Sequence, residues 1–536
     1  VTAASGKLPL QTERCHRCHR QALAAAPREA PHSVREGTAL MKELGRSGGW
    51  QKALGLLADM WQAGMKPDTV AHNVAITACE RSSQWPAAMG ILEDVVLRGL
   101  EPDVISFSAA MSACSKGQCW DRSLNLLQKL QDTGLEANAV AFNTVASALA
   151  DALQWAAALE LVLDGLPTRR LDPTGVSYGA AARALERGGR WQEGIALLAQ
   201  MKELGLEPHV ATYSACISAC EKAQEWSWAL ALLAETSPDL IAFAAAISAC
   251  EKARRWEPAL ALLQEIRVRQ MLPDTVACNA ALSACEKAAC WEWALVLLRD
   301  MRRQGPKPDL VSWNSAISAC EKGQSWESAL CLLRELARQG GAVVPDAITY
   351  HASISACEKG KQWQWASTLL SEMRQQKLVP GTVAFNAVIS ACEKGGSWHM
   401  AIHILCVEMP HHTVVPDVFT FAAAISACDS GSDGAMWQLS LNLLEQLQTG
   451  YALQPNLVLY NSLIRVCQLA SSWQHSLGLL SELSAAQLEP DMASLGTVAQ
   501  AVERGADWPS MPGLLDEVAT MGSSASLIGL PSLRLR

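Results

Sequence analysis

Fourteen tryptophans divide the chain at a nearly constant spacing: Trp50, Trp85, Trp120, Trp155, Trp191, Trp226, Trp256, Trp291, Trp326, Trp363, Trp398, Trp437, Trp473 and Trp508. Most intervals are 35 residues. The exceptions are 36 before Trp191, 30 before Trp256, 37 before Trp363, 39 before Trp437 and 36 before Trp473. One structural unit is therefore copied along almost the whole length. A repeat of this size buries its apolar face against its neighbours, which excludes a single closed core and requires a solenoid. The 536 residues then count units and not conventional domains.

The clearest unit runs from Thr275 to Asp309, TVACNAALSACEKAACWEWALVLLRDMRRQGPKPD. Ala281, Leu282 and Cys285 share one helical face. Trp291, Ala294, Leu295, Leu297, Leu298 and Met301 form a second. A short polar turn separates the two, and Gly305, Pro306 and Pro308 stop the second helix. Period-two β-branched runs are absent. The expected fold is all-α, a right-handed α-solenoid superhelix of about fourteen helix-turn-helix repeats of 35 residues. Units start near residues 34, 69, 104, 139, 175, 210, 240, 275, 310, 347, 382, 418, 457 and 492. The string ISACEK recurs at 217–222, 247–252, 317–322, 354–359 and 389–394, with LSACEK at 282–287. The sixth unit, 210–239, is short and reads as lacking most of the loop after its second helix. The twelfth, 418–456, carries an insertion around Gly431–Gly434. The organisation expected is a leader or transit-peptide remnant at 1–33, an array at 34–521 and a tail at 522–536.

Ten of the 18 cysteines occupy one register: Cys79, Cys114, Cys220, Cys250, Cys285, Cys320, Cys357, Cys392, Cys428 and Cys467. Equivalent positions of successive units are expected to lie beyond the roughly 7 Å reach of a disulfide. They read as small buried hydrophobes in a reducing compartment. No apolar run reaches the ~20 residues of a membrane span. The formal net charge of −9 argues against coating of nucleic acid through bulk charge but allows a local basic stripe. Residues 1–32, rich in Ala, Arg and His, have the composition of an organellar transit peptide or a disordered leader.

Catalytic and metal signatures are lacking. Cys15-His16-Arg17-Cys18-His19 matches a haem-attachment string but has no second cysteine pair nearby. His399 and His403 lie four apart, yet Met400 replaces the glutamate of a zinc protease. No P-loop, G-x-S-x-G elbow or deaminase signature occurs. No enzyme activity, cofactor or metal is expected.

A 35-residue helical hairpin that ends in Pro-Asp and opens with a Val-aromatic-Asn pattern resembles the pentatricopeptide repeat family, in its P-type array. TVACNAALSACEK, LVSWNSAISACEK and LVLYNSLIRVCQL carry the likeness, which spans roughly residues 34–521. The resemblance implies a monomeric, sequence-selective binder of single-stranded RNA in organellar RNA metabolism, chloroplast ahead of mitochondrion. In that family one base is read per unit. The fifth residue of the first helix and the last residue of the unit are implied as readers, and the second residue as a wedge beside the base. Wedge positions are Val70, Ile105, Val276, Val311, Ile348 and Val383.

Carried over, Thr38 with Asp68 resembles a guanine reader, Asn73 with Asp103 a uracil reader and Ser108 with Asn138 an adenine reader. Asn143 with Thr174 leans to a pyrimidine, and Ser214 with Asp239 to guanine. Asn279 with Asp309, Asn314 with Asp346, Asn386 with Asp417 and Asn461 with Asp491 all resemble uracil readers. Gly179 with His209, Ala244 with Asp274, His351 with Gly381 and Ala422 with Asn456 are unassigned. The implied target is uracil-rich, G-U-A-Y-n-G-n-U-U-n-U-n-U. RNA-processing proteins are possible further partners, and a membrane is not.

Structural alternatives stand beside these roles. Each recurrent Asp precedes a helix and can act as its cap, a contribution of ~1 kcal/mol. Asn inside a helix is a poorer structural choice, because its amide competes with the backbone. A basic column, Arg46, Arg81, Lys116, Arg187, Lys222, Lys252, Lys287, Lys322, Lys359, Lys394 and Arg504, can neutralise phosphates or pair with the Glu that precedes most of its members. Asp151, Ser430 and Leu469 interrupt it. The tryptophans heading each second helix read as core and not as base-stacking platforms, with Trp228, Trp293 and Trp365 partly exposed. Other functional classes remain open: a protein-interaction scaffold of tetratricopeptide type, or an adaptor that recruits an RNA-processing enzyme.

Overall fold

The computed structural model describes residues 33–169, 171–338, 343–430, 436–470 and 472–505. The leader with its Cys15–His19 string, the insertion at Gly431–Gly434, Trp508, the end of the array and the tail lie outside the described residues. Among the described residues every regular element is a helix. The first helix of each unit begins where the tryptophan register places it, from Val34–Arg46 and Thr69–Arg81 through Thr275–Lys287 and Leu310–Lys322 to Met492–Gly505. The second helices begin on the ruler tryptophan, as in Trp50–Gln62, Trp291–Gln304 and Trp473–Ala485. In unit 12 the helix Met436–Glu445 starts one residue earlier. Between the two helices the chain passes through one left-handed residue, Gly189 (φ 63°) or Gly396 (φ 70°), or a non-glycine such as Gln118 and Ala289 (φ 58°). The chain divides into two compact bodies, Val1–Ala253 and Arg254–Arg536. Within each body the first helices of successive units pack on one another, and a second helix packs against its own first helix and the next.

The packing follows the apolar stripes. Cys278, Ala281, Leu282 and Cys285 are fully buried, as are Ala294 and, within a few per cent, Leu297, Leu298 and Met301. The fourth residue of the first helix supplies the large anchors, including Tyr178, Phe243, Trp313, Phe385 and Phe421. The whole cysteine column is buried, and its members are thiols and not disulfides. Burial pushes the Cys285 and Cys320 thiols up to about 12, so these side chains behave as inert small hydrophobes.

The ruler tryptophans stand at the margin of the core, and Trp326, Trp363, Trp398, Trp437 and Trp473 pack against it. All thirteen within the described residues are half-buried. Five of them lie across the seam between units, on a glycine at the end of the next first helix. A Cβ added at Gly395 would lie 2.7 Å from Trp363 Cδ1, and one at Gly188 would lie 2.9 Å from Trp155 Cδ1. Gly117, Gly323 and Gly360 meet Trp85, Trp291 and Trp326 in the same way. The extra tryptophans Trp228, Trp293 and Trp365 are exposed by 45%, 49% and 38%.

The irregular spacings have a structural outlet. The sixth unit keeps its loop and loses the end of its second helix, Trp226–Ala234, which has 9 residues where its neighbours have 13. This corrects the expectation of a missing loop. Extra residues in units 4, 11 and 12 enter as π-helical turns at Leu161–Gly165, Ile404–Glu408 and Gln446–Gly450. A π-turn absorbs one inserted residue inside a helix, so the seam register survives on either side.

Candidate functional site

Where a unit ends in Pro-Asp, the Asp stands as cap of the next first helix. The Asp309 carboxylate accepts from the Ser312 amide at 2.9 Å, and Asp68, Asp239 and Asp274 accept from Ala71, Ala242 and Ala277 at 2.8–2.9 Å. Asn138 and Asn456 cap in the same way. Each such bond satisfies one of the orphan amides at a helix start.

Five of the capping aspartates also take a second partner, an asparagine at the fifth position of the preceding first helix. Asn73 Nδ2 donates to both Asp103 oxygens at 3.0 and 3.2 Å, and Asn279 to Asp309 at 3.1 and 3.2 Å. Asn314 donates to Asp346 at 3.3 Å, Asn386 to Asp417 at 3.2 and 3.3 Å, and Asn461 to Asp491 at 3.2 and 3.3 Å. Capping and pairing are therefore properties of one carboxylate. Ser214 Oγ reaches Asp239 at 3.3 Å despite the short unit. At Asp309, desolvation pushes the carboxyl up, but hydrogen bonds from Ser312 and Asn279 more than offset it. The net pKa lies below the ordinary value, as it does at Asp103, Asp346 and Asp491. The carboxylate stays charged and aimed.

Three pairs carried over from the resemblance are not joined by a hydrogen bond among the described residues. Thr38 Oγ1 turns back to its own helix carbonyls, at 2.8 Å from Arg35 and 3.1 Å from Val34. Ser108 Oγ and Asn143 Oδ1 are buried without a partner. Their following caps, Asn138 and Thr174, present no second acceptor of the aspartate kind. His351 Nε2, opposite Gly381, is likewise unpartnered.

Beside these groups stands an exposed aliphatic column. Val70, Ile105, Val276, Val311, Ile348 and Val383 are all more than half exposed, the extremes being Val311 at 56% and Val383 at 66%. The structure adds members that the sequence reading missed: Val140, Val176, Ile241, Phe419 and Val458. Their signal was present as apolar residues in the second position of the helix. Position two lies three residues before the reading position and so shares its face. Asn279 thus has Val276 before it on its own helix, and Asp309 has Val311 two residues after it.

The basic column has a partner the sequence did not suggest. Lys116, Lys252, Lys322, Lys359 and Lys394 pair with Glu80, Glu221, Glu286, Glu321 and Glu358 at 2.7–3.0 Å. Each acid belongs to the preceding unit and not to the Glu-Lys dipeptide itself. Lys222 donates to the Glu186 carbonyl at 2.9 Å, and Arg187 pairs with Asp151 at 3.0 Å. Ser112, Ser318, Ser355 and Ser390 bond the same glutamates, and Ser426 bonds Glu393. The repeated ISACEK string is thus an inter-unit clasp written as Ser, Glu and Lys. The lysines remain a third to a half exposed and can still reach a ligand.

Comparison with known families matches the pentatricopeptide repeat domain at residues 55–117, 261–323 and 331–395. A single PPR repeat matches at 176–206 and 311–341. A comparison with curated proteins returns no significant match. Among solved structures, the pentatricopeptide repeat protein PPR10 from maize is 21% identical, over 97% of this chain and 78% of that one, with a TM-score of 0.53. PPR10 in complex with an 18-nt psaJ RNA element is 19% identical over 97% and 84%, with a TM-score of 0.47. The matched segments fall in register with the units described above, and the chain belongs to the pentatricopeptide repeat family.

Proposed function

We propose that the chain binds single-stranded RNA in a sequence-selective manner, one base per unit, without chemistry of its own. The exposed aliphatic column carries this reading. Large aliphatic side chains rarely stand more than half exposed in register along a soluble surface without a ligand to cover them. Here they alternate with polar groups that offer hydrogen bonds to a base edge, an arrangement suited to flat rings inserted between wedges. Asn279, Asn314, Asn386 and Asn461 with their aspartates favour uracil, as does Asn73 with Asp103. Thr38 with Asp68 and Ser214 with Asp239 favour guanine, Ser108 with Asn138 adenine, and Asn143 with Thr174 a pyrimidine. The lysine column supports the reading as a phosphate track. The composition of residues 1–33 supports an organellar role in processing, stability or translation of a transcript, with chloroplast ahead of mitochondrion.

Fluorescence anisotropy with an oligonucleotide of sequence G-U-A-Y-n-G-n-U-U-n-U-n-U, against oligo-adenine of equal length, tests the proposal. Selective binding of the first supports it. Equal affinity for both overturns sequence-selective reading.

A further inference from the structure

We infer that a hydroxyl in the unit after each reading asparagine that pairs with an aspartate is a positioning residue for base discrimination. It fixes which atom of the asparagine amide faces the ligand. The inference rests on the base-reading function proposed above. Ser312, the third residue of its helix, donates from Oγ to Asn279 Oδ1 at 2.6 Å. The same oxygen lies 2.8 Å from Asp309 Oδ1, but one hydroxyl proton serves one acceptor at a time, and the asparagine is the closer. Thr349 reaches Asn314 at 2.6 Å, Thr420 reaches Asn386 at 2.6 Å, and Ser106 and Ser494 reach Asn73 and Asn461 at 2.5 Å.

The amide is therefore held at both ends. Its carbonyl oxygen is occupied by the hydroxyl, and one Nδ2 proton by the aspartate. What remains for a ligand is the second Nδ2 proton, a donor, beside the spare lone pairs of the aspartate, an acceptor. One donor next to one acceptor complements the carbonyl and N3–H of uracil. An unlocked amide would also offer its oxygen, and would accept the exocyclic amine of cytosine.

The sequence contains its own control. Every reading asparagine is followed by a hydroxyl at the third position of the next unit: Ser106, Ser177, Ser312, Thr349, Thr420 and Ser494. After Thr38, Ser108, Ser214, Ala244 and His351 that position is alanine, and after Ala422 it is Leu459. Thr212, after Gly179, is the exception. A hydroxyl serving only its own helix cap would not track the side chain of the previous unit. The lock also needs the aspartate. In unit 5, where Thr174 is the cap, Ser177 lies 3.2 Å from Thr174 Oγ1, and Asn143 Oδ1 is left unpartnered.

The test uses the full chain with Ser312→Ala, Ser312→Thr and the control Asn279→Ser with Asp309→Asn. Affinity is measured for four RNAs that differ only at the base facing unit 8. Ser312→Ala should cut the preference for uracil over cytosine about fivefold, the size of one neutral hydrogen bond, and Ser312→Thr should restore it. An equal loss of affinity for all four bases would assign the hydroxyl a purely structural role and overturn the inference. So would an unchanged preference in Ser312→Ala when the control double variant shifts it. If the control also leaves the preference unmoved, base reading itself fails and the inference falls with it.

Discussion

Asn279 and Asp309 stand thirty residues apart in sequence, yet Nδ2 of the first bonds both carboxylate oxygens of the second, at 3.1 and 3.2 Å. The pair spans the seam between two units, so the same contact that offers a base its hydrogen-bonding groups also joins neighbouring hairpins. Reading and folding are coupled at this carboxylate.

Asp309→Ala removes both the cap and the partner of Asn279. The expected cost is roughly 1–2 kcal/mol of local stability, seen as faster amide exchange in Leu310–Lys322 with little change in distant units. Asp309→Asn retains a capping oxygen and should cost less. Equal exchange in the two variants would show that the carboxylate's pair with Asn279, and not the cap, accounts for the stability.

Asn279→Ser with Asp309→Asn rebuilds unit 8 in the pattern of Ser108 and Asn138. Base preference at that register should move from uracil towards adenine, read by competition among four RNAs differing at one base. An unmoved preference would count against modular reading.

The acid limb of stability follows from the same carboxylates. Folded-state pKa values at Asp103, Asp309, Asp346 and Asp491 are lowered from the usual 3.8. A lowered carboxylate contributes stability above its unfolded value and loses it as pH falls through the folded one. These four sites should therefore contribute nothing to any change between about pH 7 and pH 5, and their loss should begin only below 3.8. Circular dichroism of wild type against Asp309→Asn across that range measures it. A difference between the two that varies above about pH 5 would contradict the assignment.

Cysteine chemistry separates along the fold. Cys331 and Cys406 are exposed, whereas Cys285 and Cys320 are fully buried with thiols pushed up to about 12. Iodoacetamide, which needs thiolate and access, should label Cys331 in the native protein, and Cys406 more slowly because desolvation raises its thiol although the residue is exposed. It should reach the column only after denaturation. Mass-spectrometric mapping reads both, and native labelling at Cys285 would show that the seam opens.

The period, the hairpin and the unit boundaries were legible because one tryptophan marks every second helix and Pro-Asp marks most unit ends. The polar site was half legible. Asn279 and Asp309 could be named from their registers, and the Asp309 cap on Ser312 is local, but the contact of Asn279 with Ser312 crosses a seam that no local pattern displays. The lysines show the same gap. Glu286 and Lys287 are adjacent in sequence, so a local pair is the natural reading, yet Glu286 bonds Lys322 and Ser318 of the following unit. The sixth unit misled for a related reason. Its deficit could be counted in the sequence, but loop and helix end compete for the missing residues, and only packing against the next hairpin decides between them.

The clasp and the phosphate track can be separated at Lys359. Its ion pair with Glu321 is 3.0 Å long and exposed, so by itself it contributes little, ~0–1 kcal/mol. Lys359→Glu should weaken binding to every sequence and lower the salt slope by about one if the lysine neutralises a phosphate. That variant also sets two acids against each other, which confounds binding with local fraying. Adding Glu321→Lys restores an opposite-charge pair across the seam and moves the cation by one unit. Stability should recover in the swapped protein while the cation sits on the preceding helix. If the slope recovers together with stability, the clasp was the cause of the loss. A slope that stays reduced in a restored fold would assign Lys359 to the phosphate track.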